Sequence, residues 1–368
     1  MGWYMTSDLD RFLAAAGDYL KSRAAENALL LSAAQTALDA QSARDAQQSA
    51  LDAQAARDAQ TAHDAQTAHD AQTAHDAQTA HDTLAAGEAA VDPGPLFGWW
   101  DPPDGSGPRG AFLHDPSVPL LIAVRAPETA AALAAALAKA GRFVSGVDGP
   151  ASAADAFAAA WSQRAGLAIR VHGHSRVYRL TQTPSAETGP AGRFRMATAA
   201  DRALLVTWLR AFGTEVGELT GSPEAAADDL LGYGGAAFWE VAGDPVSMAA
   251  TTRPVARTVR ISMMYTPPEH RRNGYAAAVM LAVSRAALDG QMREVVLITE
   301  ENRPQRLAAR LGYELIGERA ELRFGPPTGP QSRLATGPQS RLATGPQPRL
   351  ATGPQPRLAT GSQPRLRG

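Results

Sequence analysis

Cysteine is absent from the 368 residues. That excludes disulfides, thiolate nucleophiles and cysteine-ligated zinc or iron–sulfur centres together. Lysine is nearly absent too, with Lys21 and Lys139 standing among 35 basic residues that are otherwise all arginine. An imbalance spread over the whole chain reads as the coding bias of a GC-rich genome, since no single site could use so many guanidinium groups. No apolar run approaches the ~20 residues that cross a bilayer. The opening MGWYMTSDLDRFL also lacks the basic region and continuous apolar core of an export signal. The expected location is cytoplasmic, with no membrane partner.

What is there falls into tracts of opposite charge. Residues 39–83 hold eight Asp against two Arg, whereas 329–368 hold six Arg and no acid. The rest of the chain nearly balances, so no strongly basic folded face is expected and nucleic acid is not a predicted partner. Both tracts are repetitive. TAHDAQ recurs over 61–82, preceded by decayed copies such as SALDAQ, and carries His63, His69, His75 and His81. On an α-helix a spacing of six turns successive histidines onto three faces, about 9 Å apart along the axis, whereas chelation wants neighbours three or four apart. The tract therefore reads as a solvated low-complexity insertion at 39–83, with no metal expected. GPQSRLAT and its variants recur every eight residues over 329–368, with Gly and Pro in each copy and too few apolar residues for a core. This predicts a disordered tail over 326–368.

Two regions with globular patterning remain, separated by TPSAETGPAG at 183–192, which is a linker by composition. The first, 1–182, opens with the amphipathic helix DLDRFLAAAGDYLKSRAAENALLLSAA. It continues with strand-like LFGWWDPP and RGAFLHDPSVPLLIAV, a helix PETAAALAAALAKAG, a strand FVSGV, a helix ASAADAFAAAWSQRAG and a strand LAIRVHGHSRVYRL. The second, 193–325, repeats a similar order: a strand RFRMAT, two helices, three hairpin-range strands, a helix from Tyr275, a strand EVVLITEE, a short helix and closing strands. Such a mixture predicts an α+β fold, a mixed and mostly antiparallel sheet flanked by helices.

The stretch PPEHRRNGYAAAVMLAV (267–283) carries the chemistry. Two prolines stop a strand ending at Thr266. Arg271-Arg272-Asn273-Gly274-Tyr275-Ala276 then turns the chain into a helix whose first amides point outward with the positive end of the dipole. Gly274 removes a Cβ where a phosphate would approach the backbone, Ala276 to Ala278 keep the first turn open, and the arginines add positive charge. A diphosphate fits such a turn.

VRISMMYTPPEHRRNGYAAAV, together with ENRPQRLAARLGY some thirty residues on, resembles the GNAT superfamily of N-acetyltransferases. The first segment matches the family's Arg/Gln-x-x-Gly-x-Gly/Ala motif after its fourth strand. The second matches its Asn-containing helix ending in Leu-Gly-Phe/Tyr. The resemblance covers 193–325 and is closest to the family members common in high-GC actinobacteria. Residues 1–182 look like a degenerate second copy without the phosphate motif, so the fold is expected in tandem. The resemblance implies acetyl-CoA as acyl donor, no metal, and an amine of a small molecule or protein as acceptor. It places the pantetheine along Met264, Tyr265 and Thr266, the diphosphate over Arg271, Arg272, Asn273, Gly274, Tyr275, Ala276 and Ala277, and a further cofactor contact at Asn302. Homodimerisation is left open.

The reaction sets its own demands. An amine with a lysine-like pKa is about one part in a thousand deprotonated at neutral pH, so a base is required. Glu300 and Glu301, ending a strand beside the cleft, are the candidates, and Glu215 and Glu218 lie in the region that shapes acceptor sites in the family. The departing thiolate wants a proton donor. The family's tyrosine one turn before Leu-Gly-Phe is Ala308 here, so another hydroxyl serves, the thiolate leaves unaided, or the domain binds acyl-CoA without efficient turnover. Tyr265 and Tyr313 are the tyrosines nearest in sequence. His172 and His174 read as exposed strand residues, Trp99 and Trp100 as one core and one surface side chain, and His270 as solvent-facing.

Overall fold

The computed structural model describes residues 2–69, 94–183, 189–216, 221–300 and 305–326. The octapeptide tract, the later copies of the hexapeptide repeat, Glu218, Glu301 and Asn302 lie outside them. The first half of the chain contributes β1 (Gly2–Thr6), α1 (Leu9–Ser22), α2 (Ala28–His69), β2 (Leu96–Asp101), β3 (Gly110–His114), β4 (Leu120–Val124), α3 (Pro127–Lys139), β5 (Gly146–Pro150), α4 (Ala151–Ala165) and β6 (Ala168–Leu180). The second contributes β7 (Arg193–Met196), α5 (Arg202–Val216), α6 (Pro223–Tyr233), β8 (Ala236–Val241), β9 (Asp244–Thr251), β10 (Thr258–Tyr265), α7 (Tyr275–Asp289), β11 (Glu294–Glu300), α8 (Gln305–Arg310) and β12 (Glu314–Gly325).

Local signals set the helix ends. Asp8 accepts from the Arg11 amide at 3.0 Å to cap α1, and Ser222 accepts from Ala225 at 3.0 Å to cap α6. Pro127 sits in the first turn of α3. The hexapeptide repeat extends α2 into a 42-residue helix, whose early turns bury Leu30, Leu31 and Ala34 while the stretch from Arg44 to Ala55 faces solvent. Among the described residues no helix is long and apolar enough to cross a membrane.

Twelve strands form one sheet in the order β1-β2-β3-β4-β5-β12-β6-β11-β10-β9-β8-β7. The only parallel neighbours are β4–β5 and β10–β11, so the mixed, mostly antiparallel α+β expectation holds. The order reads the same from either end if each strand is exchanged for the one six places away in sequence, which is the tandem plan. The halves do not close separately, however. β12 lies between β5 and β6, pairing Leu322 with Val147 and Val171, while β6 pairs with β11 from Ser175 to Leu180. Each half thus lends its last strand to the other's core. Ala320 and Leu322 of β12 pack with Phe112, Ile122 and Phe157, whereas Tyr178 and Leu180 of β6 pack with Ile261, Val279 and Leu297.

β1 was not foreseen. Its GWYMT has no internal strand signal beyond bulk and is held by β2, through a stack of Tyr4 on Trp99 (5.5 Å) and an edge contact of Trp3 with Trp100 (5.9 Å). Trp99 is buried and Trp100 half-buried. The strand expected at FVSGV begins only at Gly146, leaving Phe143 exposed.

Candidate functional site

β10 and β11 run parallel only from Thr258–Glu294 to Ile261–Leu297. A register shift against β9 follows between Ile261 and Met263, a bulge centred on Ser262. Beyond it, Met263 to Tyr265 pair with β9 alone and Ile298 to Glu300 with β6 alone. The two strands therefore separate into a fork whose facing edges share no ladder bond. The side chains divide by alternation. Val259, Ile261 and Met264 pack toward α7, whereas Met263 and Tyr265 pack toward α5 and α6.

The turn that follows closes over one end of the fork. His270 and Arg271 donate backbone N–H groups to Pro267 and Pro268 at 2.9 and 3.3 Å. The next backbone bond is from Ala278 to the Gly274 carbonyl at 3.0 Å, the first of α7. Among the described residues no internal acceptor meets the amides from Arg272 to Ala277, and the N-cap, Gly274, has no side chain to supply one. Arg272 and Gly274 both have positive φ, 65° and 82°. For arginine that conformation costs roughly 1 kcal/mol or more, a strain of the kind held at functional turns. A Cβ on Gly274 would find only Pro190, at 3.8 Å. The approach to these amides is open.

The candidate cofactor residues are gathered here, with different jobs. Arg271 is a strut, its Nε donating to the Thr266 carbonyl at 2.9 Å and its terminal nitrogen pairing with Glu215. Arg272 is exposed, and Asn273 donates to the His270 carbonyl at 3.1 Å, tightening the turn. Tyr275 lies edge-on to His270 at 6.4 Å. Ala276 and Ala277 are half-buried. Thr266 shares a hydroxyl contact of 2.8 Å with Ser247. Tyr265 is buried, with its ring 5.8 Å from Trp208, and burial, with the charge of Glu215, holds its hydroxyl above the ordinary tyrosine range. Glu300 ends β11 in the fork's mouth, on the same strand face as Val296 and Ile298 and away from α7.

The proton-donor question narrows. Ala308 lies on the buried face of α8, in the core. Tyr313 is buried too, its hydroxyl 2.7 Å from Ser284 Oγ, which itself donates to the Met280 carbonyl at 2.6 Å. Burial pushes that phenol far up, so it stays protonated. Thr299, which sequence reasoning passed over, sits on the α7-facing side of β11, past the last β10–β11 pair, with a buried hydroxyl that meets no hydrogen-bond partner among the described residues. A threonine in an apolar strand, next to the glutamate that ends it, was the available signal. His172 and His174 are exposed on β6, and no group of three potential metal ligands occurs among the described residues.

The parallel pair opens at a bulged strand, and a turn of unbonded amides follows it. Residues 241–323, which contain it, match the FR47-like protein family, a relative of the GNAT acetyltransferases. This segment is similar to the GNAT superfamily. Solved structures similar to the chain include a GCN5-related N-acetyltransferase from Sphaerobacter thermophilus, 18% identical over 62% of this chain and 80% of that one, with a TM-score of 0.46. Another, from Kribbella flavida, is 19% identical over 58% and 86%, with a TM-score of 0.41. A tandem GNAT protein from the clavulanic acid biosynthesis pathway is 14% identical over 63% and 82%, with a TM-score of 0.37. No curated protein matches the chain. The fork of the first half, between β4 and β5, pairs only Leu120–Val147 and Leu121–Asp148, and α3 begins three residues after β4. It has no counterpart of the turn at 267–278.

Proposed function

We propose that the β10–β11 fork binds acetyl-CoA and that the protein is an N-acetyltransferase acting on an amine. The observation that carries this reading is the run of amides from Arg272 to Ala277 without internal acceptors, at the head of a 15-residue helix beside an opened strand edge. Six outward N–H groups and a helix dipole suit a diphosphate, and Gly274 leaves room for it. The free edge of Met263 to Tyr265 suits an extended amide-bearing arm, which pairs with a strand edge as another strand would. Bound there, acetyl-CoA supplies an activated thioester carbonyl. A backbone N–H of Met264 or Tyr265, whichever faces the fork, is the donor for the developing oxyanion. Glu300 is the base that takes a proton from the incoming ammonium. Overall, an ammonium and a thioester give an amide, a free thiol and one proton.

A second reading, an acyl-CoA-binding module with weak or no turnover, is favoured by one observation: Ala308 and Tyr313 are both enclosed in the core, so neither offers the thiolate a proton.

The test is thermal unfolding with and without ligand. At a hundred times Kd, acetyl-CoA should add about 2.7 kcal/mol of stability and adenosine far less. Gly274→Glu should abolish the shift, because it puts a carboxylate among the amides. No shift at millimolar acetyl-CoA refutes the reading. Turnover follows from thiol release over a panel of amines. Because the chain has no cysteine, every thiol detected comes from the cofactor.

A further inference from the structure

On the face of the sheet away from α7, a cavity of about 360 Å³ lies between the first turns of α2, the helix α6 and β10. Ser262 and Met263, at the bulge where the fork begins, are part of its wall. A group lying in the fork on the α7 side and a molecule in this cavity therefore meet at the bulge from opposite faces. The size suits a small molecule, such as an amino acid or a short derivative.

The charges lining the cavity balance in number, two Asp against two Arg, but not in their pairing. Arg253 is fully engaged: its two terminal nitrogens hold Asp229 at 2.8 and 3.1 Å, its Nε lies 3.3 Å from Asp39, and its guanidinium stacks over Tyr233 at 4.3 Å. Both carboxylates of the lining are thus bound to one cation. Arg260, which also lines the cavity, has no ion-pair partner among the described residues, and its Nε is buried without a hydrogen-bond acceptor. Burial, with Arg319 adding repulsion, holds its guanidinium down to about 10, still charged at neutral pH. Arg260 is half-buried overall, and Asp148, whose charge reaches it, is already held by Arg319 at 2.9 Å; a cation so placed is costly to keep. A guanidinium that faces a cavity can be offset by a bound anion, and its planar fork suits a carboxylate best. Asp39 and Asp229 on the same wall disfavour a dianion such as phosphate and favour a molecule that also carries an ammonium.

We propose that this cavity is the acceptor pocket and that its substrate is a small amine bearing a carboxylate, which Arg260 receives. The proposal rests on the acyl-transfer reading of the fork and names the substrate class for it. Its experiment separates the two. The full chain is titrated calorimetrically with the L-amino acids and with their carboxamides, first alone and then with acetyl-CoA, and the same pairs are assayed for thiol release. At least one acid should bind and react tenfold or more better than its amide. Arg260→Met should erase that preference, keep the acetyl-CoA thermal shift, and unfold no lower than the wild type because it removes an uncompensated charge. Arg260→Lys, which keeps the charge but not the planar fork, should retain part of the preference. Acids and amides that bind alike, a preference surviving in Arg260→Met, or a fall in its unfolding temperature each overturn the proposal. Acids that bind through Arg260 in a protein showing no acetyl-CoA shift would uphold the pocket and sink the acyl-transfer reading alone.

Discussion

Leu322→Ala tests whether the two halves stand or fall together. Leu322 is 3% exposed and belongs by sequence to the second half, yet it packs among Phe112, Ile122, Leu133 and Phe157 of the first. Cutting a buried leucine to alanine costs the lost transfer energy plus the cavity left behind, about 3 kcal/mol at a site enclosed by large side chains. β12 is hydrogen-bonded to β5 on one side and β6 on the other, and β6 to β11, so the whole loss should be felt across the sheet. At 1.36 kcal/mol per factor of ten, protection of slowly exchanging amides should fall roughly 150-fold. Hydrogen exchange followed by mass spectrometry reads this separately for peptides of α4 and of β8–β9. Equal losses in both are expected. Wild-type protection in β8–β9 alongside a loss in α4 would show that the halves unfold independently, and the account of the exchanged strands would be wrong.

Tyr313→Phe should cost about 1 kcal/mol for the lost bond to Ser284 and leave thiol release unchanged; a folded variant with no turnover would bring this phenol into the reaction. Arg195 holds Asp201 through two bonds of 2.7 and 2.8 Å and keeps its carboxyl down at about 2. Because that value lies below the unfolded one, the pair stabilises above about pH 4 and its contribution is lost as pH falls toward 2. Asp201→Asn should therefore be about 1 kcal/mol less stable at pH 7, after allowing for solvent screening, and nearly equal to wild type at pH 2 in urea titrations; a gap independent of pH would remove the ion pair from the explanation. His114 is buried and burial lowers its pKa, so its neutral form is the folded one. Stability should accordingly drop as pH falls below about 6.5, and His114→Phe should flatten that limb of the curve.

How much of this was readable beforehand depends on how local each cause is. The turn at 271–278 was legible because a strand stop, a bare glycine and a helix start are written in consecutive residues. The alternation of β8 to β10 likewise shows in the sequence. Strand partners do not: the pattern of LAIRVHGHSRVYRL says which face is apolar but not that β12, rather than a strand of its own half, lies beside it. Arg271 looked like a rim charge, and only the fold brings Glu215 to it. Arg260 in TVRISMMY reads as a solvent-facing position, and the helix that covers it comes from more than two hundred residues earlier. Tyr313 followed the same rule, its partner Ser284 lying on another element.

The exchanged strands also bear on how the chain is made. When β6 leaves the ribosome, β12, the strand that pairs with both β5 and β6, is still about 130 residues from being synthesised. At roughly 5–20 residues per second, those edges stay bare for about 7–25 s of translation. A nascent first half is thus a template for misplaced pairing with other chains, which makes it a natural client for chaperones.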